Sequence, residues 1–283
     1  MPIIACLIDR IDSEEAHEIT MKIMKRFRSP LLYGLLLFAG VMASAATLNV
    51  PNFSFESQTA PNSTPFVNIF VDSWQKAPEP AYYGPAVGTP FGIPWAGTAG
   101  VFLDVNPYAN RLGNQAGYIL GFPEVSLSQD YNSSPAHDFD ATFEVGLSYR
   151  LTVGVFGKST LAPGSTLELS LYYLNDQNNP MTVGATTVTY SDTAFPTTTP
   201  LSLTDYSVSV STVAATDPWA GRHLGIKIES TTPLQMATGG NWDFDNVRLE
   251  AVPEPATVAL LAVGAGLLVF SRWHTSLRGK SRS

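Results

Sequence analysis

Apolar and polar residues alternate along several short stretches of this chain, and this period of two is the strongest restriction on its fold. Between residues 149 and 155, Tyr, Leu and Val alternate with Arg, Thr and Gly, and residues 167–173 repeat the pattern. Successive side chains of a β-strand point to opposite faces, so these stretches predict strands with one buried face. No stretch between residues 46 and 250 shows the 3.6-residue period of an amphipathic helix.

Turn-forming residues separate the strand-like stretches. Further stretches of this kind are residues 125–131, 183–190, 206–213 and 224–229, with clusters of Gly, Pro, Asn and Asp between them. Many short strands with turn signals at regular intervals are typical of two packed antiparallel sheets. The sequence therefore predicts an all-β protein, an antiparallel β-sandwich that occupies residues 46–250.

The amino-terminal 45 residues resemble an export signal behind an unrelated leader. Residues 1–20 are polar and acidic, so we expect translation to start at Met21 or Met24. Residues 21–45 contain a basic start, an apolar run and a small-residue cleavage site, as signal peptides do. This pattern predicts export through the secretion translocon; the alternative is a signal anchor that is never cleaved.

The carboxy-terminal segment, residues 251–283, holds three signals in order. These are the triplet Pro253-Glu254-Pro255, an apolar run over residues 256–270 and a basic end that includes Arg272. The prolines keep the triplet extended, the run suits a short transmembrane helix, and the basic residues favour the cytoplasmic side. An ordinary membrane anchor is the alternative reading.

This tail resembles the PEP-CTERM sorting domain of exported bacterial proteins. The matching residues are 252–257, the apolar run and Arg272. The resemblance implies an exosortase as a partner, which processes the protein near Pro253, Glu254 and Pro255 while the tail helix holds it in the membrane. Release to the cell surface or the extracellular matrix would follow.

Composition excludes several kinds of chemistry. The single cysteine, Cys6, lies in the leader, so residues 46–250 contain no disulfide, catalytic thiol or cysteine metal site. The chain has 16 Lys and Arg against 24 Asp and Glu, a net charge of −8. Nucleic acid is therefore not an expected partner, because phosphate binding requires clustered basic residues.

The two ends of the predicted sandwich carry short motifs. Residues 48–56 read LNVPNFSFE and residues 241–250 read NWDFDNVRLE. Both are similar to the ends of galactose-binding-domain-like jelly rolls, which include carbohydrate-binding modules, although Phe53 stands where Gly or Pro is usual. The resemblance implies a jelly-roll sandwich whose first and last strands lie side by side.

That resemblance also implies a metal site. Adjacent first and last strands would bring Glu56 near Asp245, and two carboxylates with backbone carbonyls can hold a structural Ca²⁺. Asp243 is a weaker candidate ligand. The alternative is that Glu56 is a solvated residue at a strand end and that Asp245 is a turn residue bonded to its own backbone.

Exposed aromatic rings are the expected platforms for a sugar, because a pyranose stacks its C–H face on such a ring. The candidates are Tyr82, Tyr83, Trp95 and Trp219, which lie among Pro and Gly residues. Trp74 follows the first strand and is expected in the core. Packing of a long loop against the sandwich is the alternative role for all four candidates.

No motif predicts catalysis. His137 and His223 belong to no nucleophile motif. Asp138 and Asp140 would share one face of a strand and form a carboxylate pair of the glycosidase type, but a solvated strand entry is the favoured interpretation. We therefore expect that the chain is not an enzyme.

The sequence as a whole predicts an exported cell-surface or matrix protein that binds or organises exopolysaccharide through a non-catalytic sandwich. One alternative is a structural or adhesion component that contacts proteins instead of glycans. Others are a surface protein with an ordinary membrane anchor and a hydrolase whose acid pair the sequence does not identify.

Overall fold

Strands dominate the regular structure of this protein. The computed structural model describes residues 45–64, 66–84, 92–103, 108–198 and 200–253. The strands within them are β1 (Ala46–Leu48), β2 (Val67–Asn68), β3 (Gln75–Lys76), β4 (Ala99–Leu103), β5 (Gln115–Leu120), β6 (Ser126–Gln129), β7 (Leu147–Gly157), β8 (Thr166–Leu174), β9 (Pro180–Thr189), β10 (Thr204–Val210), β11 (Leu224–Ser230) and β12 (Asn241–Pro253). Two short 3₁₀ helices, Trp95–Thr98 and Leu234–Met236, lie in the connections.

The strands form two antiparallel sheets. The seven-stranded sheet has the order β10-β7-β12-β5-β4-β2, and β1 also pairs with β12. The five-stranded sheet has the order β3-β6-β11-β8-β9. The prediction of an all-β sandwich is therefore confirmed.

The hydrophobic core joins the two sheets, and the period-two pattern explains how. On β7, Tyr149, Leu151 and Val153 are buried while Arg150 is exposed. Three leucines of β8, at positions 167, 169 and 171, are fully buried as well. β7 and β8 thus each turn one apolar row toward the core, as their sequences predict.

The amino-terminal motif departs from its predicted form. Residues 48–56 do not make a continuous strand, because β1 ends at Leu48 and residues 51–54 form turns. Asn52 and Phe55 have positive φ angles of 49° and 56°. These turns direct Phe55 into the core, where its ring packs edge-on against Phe244 of β12 at 5.2 Å.

The predicted export segments lie outside the described residues. This applies to residues 1–44 and to residues 254–283, which include the apolar run of the tail. Within the described ranges, no helix is long and apolar enough to cross a membrane. The segment boundaries at residues 20, 45 and 250 stay predictions.

Candidate functional site

A buried carboxylate lies at the centre of the seven-stranded sheet. Asp243 of β12 is directly opposite Tyr118 of β5 on one side and Phe156 of β7 on the other. Its neighbours along the strand, Trp242 and Phe244, pack into the core. Because side chains alternate along a strand, Asp243 projects from the outer face of this sheet, yet its side chain is fully buried.

Polar groups from different parts of the chain hold this carboxylate. The Tyr108 hydroxyl donates a hydrogen bond of 2.5 Å to Asp243 Oδ2, and Lys158 Nζ lies 3.0 Å from the same oxygen. The side-chain amide of Asn241 donates to Asp243 Oδ1. A buried charge requires such partners, since an isolated carboxylate is costly away from water. We call Asp243, Tyr108, Lys158 and Asn241 the carboxylate cluster.

Aromatic rings surround the carboxylate cluster. Lys158 Nζ lies 5.1 Å from the ring centroid of Tyr108 and 5.6 Å from that of Phe102. Phe156 packs against Tyr108 at 5.0 Å, and Tyr118 packs edge-on against Phe102 at 6.3 Å. We call Phe102, Tyr118 and Phe156 the aromatic wall. The site thus combines a buried carboxylate with rings whose faces attract positive charge.

Gly100 gives Tyr118 the space that it occupies. The two residues are opposite each other on β4 and β5. A Cβ atom at Gly100 would overlap the backbone oxygen of Asn68 and approach the Tyr118 ring to 2.9 Å. The Tyr118 hydroxyl donates to the Gly97 carbonyl at 3.2 Å, and burial raises the pKa of Tyr118 to about 12. This phenol therefore stays neutral at physiological pH.

A second buried carboxylate, Asp245, lies two residues further along β12. The pairing of β12 with β7 shifts between Asp245 and Arg248, where the strand bulges. Asp245 is fully buried: its Oδ2 accepts a 2.6 Å hydrogen bond from the Leu112 N–H, and none of the described residues donates a hydrogen bond to its Oδ1. Burial raises the pKa of Asp245 to about 7, with a smaller upward contribution from the charge of Glu56.

Glu56 lies beside Asp245. The turns after β1 bring Glu56 to the start of β5, close to Asp245. Its Oε1 accepts hydrogen bonds from the N–H groups of Asn114 and Gln115, at 2.7 and 2.6 Å. Gly113, with φ of 77°, lies so close to the Glu56 carboxyl group that any Cβ would overlap it. The structure thus brings the two predicted metal ligands together, while Asp243 belongs to the carboxylate cluster.

Two of the four predicted sugar platforms lie in the core. Tyr83 is fully buried and donates a 2.6 Å hydrogen bond to the Ile93 carbonyl, and Trp95 donates to the Ala77 carbonyl at 3.0 Å. Tyr82 and Trp219 are half-buried and pack against the core. A ring enclosed like that of Tyr83 has no face open to a sugar. Packing of the loop accounts for Tyr83 and Trp95, as it does for Trp74, the predicted core residue.

The predicted histidines and carboxylates near residue 138 lie together on the surface. His137 and His223 stack on opposite faces of Tyr131, each at 4.1 Å between ring centroids. Asp140 is paired with His223 at 3.1 Å, whereas Asp138 accepts a hydrogen bond from Ser134. The two carboxylates therefore have separate partners.

The family follows from a match over the whole sandwich. The profile of the HpiC1-like family, described as HpiC1 cyclase, matches residues 46–250. The chain belongs to the HpiC1-like family. No curated protein sequence matches it.

Solved structures resemble this HpiC1-like chain at low identity. A cyclase from Fischerella sp. TAU is 21% identical, with a TM-score of 0.49, over 74% of this chain and 98% of that one. The Stig cyclase Fisc from the same organism, in complex with (3Z)-3-(1-methyl-2-pyrrolidinylidene)-3H-indole, is also 21% identical, with a TM-score of 0.48 over 74% and 99%. The CBM22-1 xylan-binding domain of Paenibacillus barcinonensis Xyn10C is 11% identical, with a TM-score of 0.37 over 64% and 86%.

The family corrects the function predicted from the sequence. The prediction of a non-catalytic exopolysaccharide binder is wrong, since the matching profile describes a cyclase. The prediction that the chain is not an enzyme is wrong for the same reason. That prediction was based on the absence of known sequence motifs for nucleophilic and metal catalysis. A single carboxylate that acts as an acid or base has no such motif.

The predicted partners and location are corrected with the function. An exosortase, the secretion translocon and exopolysaccharide were expected for a matrix protein that its PEP-CTERM tail tethers to the cell envelope. The comparisons point instead to a cyclase family over residues 46–250 and lend no support to this group of predictions. They are therefore withdrawn.

Sequence reasoning missed the carboxylate cluster. Asp243 was considered only as a weaker metal ligand, and neither Tyr108 nor Lys158 was given a role. The sequence contained one signal. Asp243 lies between Trp242 and Phe244 in a predicted strand, so it projects from the face opposite to that of these two large apolar side chains. If other residues cover that face as well, the acidic side chain is buried and requires a hydrogen-bond donor or a counter-ion.

Proposed function

We propose that this HpiC1-like protein is a jelly-roll cyclase that closes a ring in a small unsaturated molecule at the carboxylate cluster. The observation that carries the proposal is the buried Asp243, which Tyr108, Lys158 and Asn241 hold beneath the aromatic wall. Buried ionisable groups with specific partners are common at active sites. The family to which the chain belongs is described as a cyclase family.

Acid-initiated ring closure of an unsaturated molecule consists of two proton transfers and the formation of one bond. One proton is added to one carbon, a carbon–carbon bond forms at the expense of π bonds, and one proton leaves another carbon. Asp243 is the base that takes the leaving proton on its carboxylate oxygen. The Tyr108 phenol, which donates a hydrogen bond to Asp243 Oδ2, is the proton-bearing group beside it.

The surroundings of Asp243 suit the positive charge that develops between these two proton transfers. The faces of Phe102, Tyr118 and Phe156 stabilise a cation through their π electrons. The negative charge of Asp243 acts strongly there because the carboxylate is shielded from water. The same shielding limits attack of water on the cation, which would end the reaction before the ring closes.

The experiment is a conversion assay with a panel of acyclic dienes and polyenes, some neutral and some bearing an amine. A cyclase gives a product of unchanged mass with one double bond fewer. We expect such a product with wild-type protein and a loss of at least about 100-fold with Asp243→Asn. Asp138→Asn is the matched control, because Asp138 is an exposed carboxylate that does not belong to the carboxylate cluster. Equal rates for the two variants would refute the role of Asp243.

We also propose that Glu56 and Asp245 bind a structural Ca²⁺. The fit rests on the buried Asp245 Oδ1, which has no hydrogen-bond partner in the part of the chain that the structure describes, and on the neighbouring carboxylate of Glu56. Among the described residues there is no group of three or more His, Cys, Asp or Glu placed to hold a metal. Further ligands would therefore be backbone carbonyls or water, as is common for calcium.

A further inference from the structure

Lys158 occupies a place built for a positive charge. Its ammonium nitrogen lies 3.0 Å from the Asp243 carboxylate and over two aromatic rings, 5.1 Å from the centroid of Tyr108 and 5.6 Å from that of Phe102. A carboxylate with aromatic faces around it is the arrangement that recognises organic cations. In this structure, the cation that lies between the carboxylate and the rings is the protein's own Lys158 ammonium.

We propose that the substrate binds as an organic cation, with a protonated or alkylated nitrogen, and that it displaces the Lys158 ammonium from this place. The inference rests on the proposed function, because it concerns the ligand of the same site. It adds the class of substrate, a small molecule with a basic nitrogen next to its unsaturated part. It also gives Lys158 a role as a displaceable internal counter-ion.

The accessibility of the two charged groups supports displacement. The Lys158 side chain is 32% exposed whereas that of Asp243 is 0% exposed, so Lys158 is the solvent-facing member of the pair. A lysine side chain has four rotatable bonds and a strongly hydrated head, and its ammonium can return to water at low cost. Asp243 cannot follow it, since it belongs to the central strand of the sheet.

Charge balance decides between a cationic and a neutral ligand. If Lys158 leaves and a neutral molecule enters, the Asp243 carboxylate keeps its hydrogen bonds from Tyr108 and Asn241 but loses the ammonium that lies 3.0 Å from its Oδ2. A buried charge that loses its counter-ion is strongly destabilised. A ligand that brings its own positive charge restores the pair, and a poorly hydrated alkylated nitrogen also fits the aromatic faces better than an ammonium does.

The test uses two probes of the same shape, choline and its neutral isostere 3,3-dimethylbutan-1-ol. Binding of each is measured by isothermal titration calorimetry to wild-type protein, to Lys158→Met and to Lys158→Met combined with Asp243→Asn. Lys227→Met is the matched control, because Lys227 forms an ion pair with Glu229 on the other sheet. Circular dichroism melting verifies that each variant is folded.

We expect Lys158→Met to bind choline at least about tenfold more tightly than wild type does, because the internal competitor is gone. The preference for choline over the isostere should disappear in the double variant. Equal binding of the two probes to Lys158→Met would overturn the proposal. So would an affinity of Lys227→Met for choline that rises as much as that of Lys158→Met.

A second measurement needs no variant and applies even if Lys158→Met does not fold. Wild-type protein is acylated at its lysines with and without choline, and each site is quantified by mass spectrometry. Displacement predicts that choline increases acylation of Lys158 and leaves that of Lys227 unchanged. If choline lowers the acylation of Lys158 or leaves it unchanged, displacement is contradicted.

The outcomes separate this inference from the proposed function. If choline binds as expected but Asp243→Asn retains ring closure, the cation site stands and the catalytic role of Asp243 fails. If Asp243→Asn abolishes ring closure but choline shows no preference over its isostere, the cyclase stands and the cationic substrate fails.

Discussion

Tyr108 donates a 2.5 Å hydrogen bond to Asp243, a residue 135 positions later in the chain. The two residues meet because β12 lies between β5 and β7 and holds Asp243 at the middle of the seven-stranded sheet. Tyr108 reaches it from the connection that precedes β5. The catalytic proposal depends on this contact, since it joins a proton donor to a buried base.

Tyr108→Phe tests this contact. The phenylalanine ring keeps the packing on Phe156 and removes the hydrogen bond to Asp243. We expect a loss of about 1 kcal/mol in the free energy of unfolding and at least about a tenfold loss of ring-closing activity, measured by urea melts and by the conversion assay.

Tyr190→Phe is the control for that substitution. Tyr190 is buried and donates a 2.8 Å hydrogen bond to Asp192, away from the carboxylate cluster. It should therefore lower stability by a similar amount and leave activity unchanged. An equal loss of activity in both variants would indicate that Tyr108 acts only through stability.

Calcium should stabilise the protein if Glu56 and Asp245 bind it. Calcium at about 100 times its dissociation constant adds about 2.7 kcal/mol to the free energy of unfolding, which thermal melts in calcium and in chelator would detect. Glu56→Gln should abolish most of this difference, whereas Glu144→Gln, at an exposed carboxylate, should preserve it. An identical melting temperature in calcium and in chelator would contradict the metal site.

The pH dependence of the metal-free protein follows from Asp245. Burial raises the pKa of Asp245 to about 7 from 3.8, so the folded state keeps a proton that the unfolded state has already released. Stability from this group is therefore greatest below pH 4 and falls as pH rises to 7, by about 1 kcal/mol per pH unit. Urea melts in chelator should show this fall, and Asp245→Asn should remove it; a wild-type profile as flat as that of the variant would contradict it.

Gly100→Ala should disturb the aromatic wall. The added methyl group would overlap the Asn68 carbonyl and press on the Tyr118 ring. We expect a loss of about 1–3 kcal/mol in the free energy of unfolding, measured by urea melts, together with lower activity. At Gly97 a Cβ atom would meet only Ile93, at an ordinary 3.5 Å, so Gly97→Ala is the control. Equal costs for the two substitutions would contradict the close fit at Gly100.

The sandwich was predictable from the sequence because its signal is local. The alternation from Tyr149 to Val155 and among the leucines of β8 needs no information beyond neighbouring residues. The amino-terminal motif shows where local reading fails. Residues 51–55 look like a strand in composition, but positive φ angles at Asn52 and Phe55 turn them into the core.

The candidate site was not predictable because it depends on contacts across the whole chain. Asp243, Lys158 and Tyr108 meet only once the register of β12 is set. The aromatics misled for a related reason: Gly and Pro around Tyr83 and Trp95 suggested an exposed loop, yet that segment packs its rings inward. By contrast, the resemblance at both ends of the domain indicated the proximity of Glu56 and Asp245, although Glu56 reaches this position through the turns after β1 and does not lie on the strand itself.

The most direct test of a proton-exchanging cyclase centre at Asp243 is deuterium incorporation. Wild-type protein and Asp243→Asn are incubated in ²H₂O with the panel of acyclic polyenes, and products are analysed by mass spectrometry and NMR. We expect a ring-closed isomer from wild type with one deuterium at the carbon that was protonated, and at least about 100-fold less from Asp243→Asn. No ring-closed product from wild type, or labelled product at the same rate from both proteins, would contradict it.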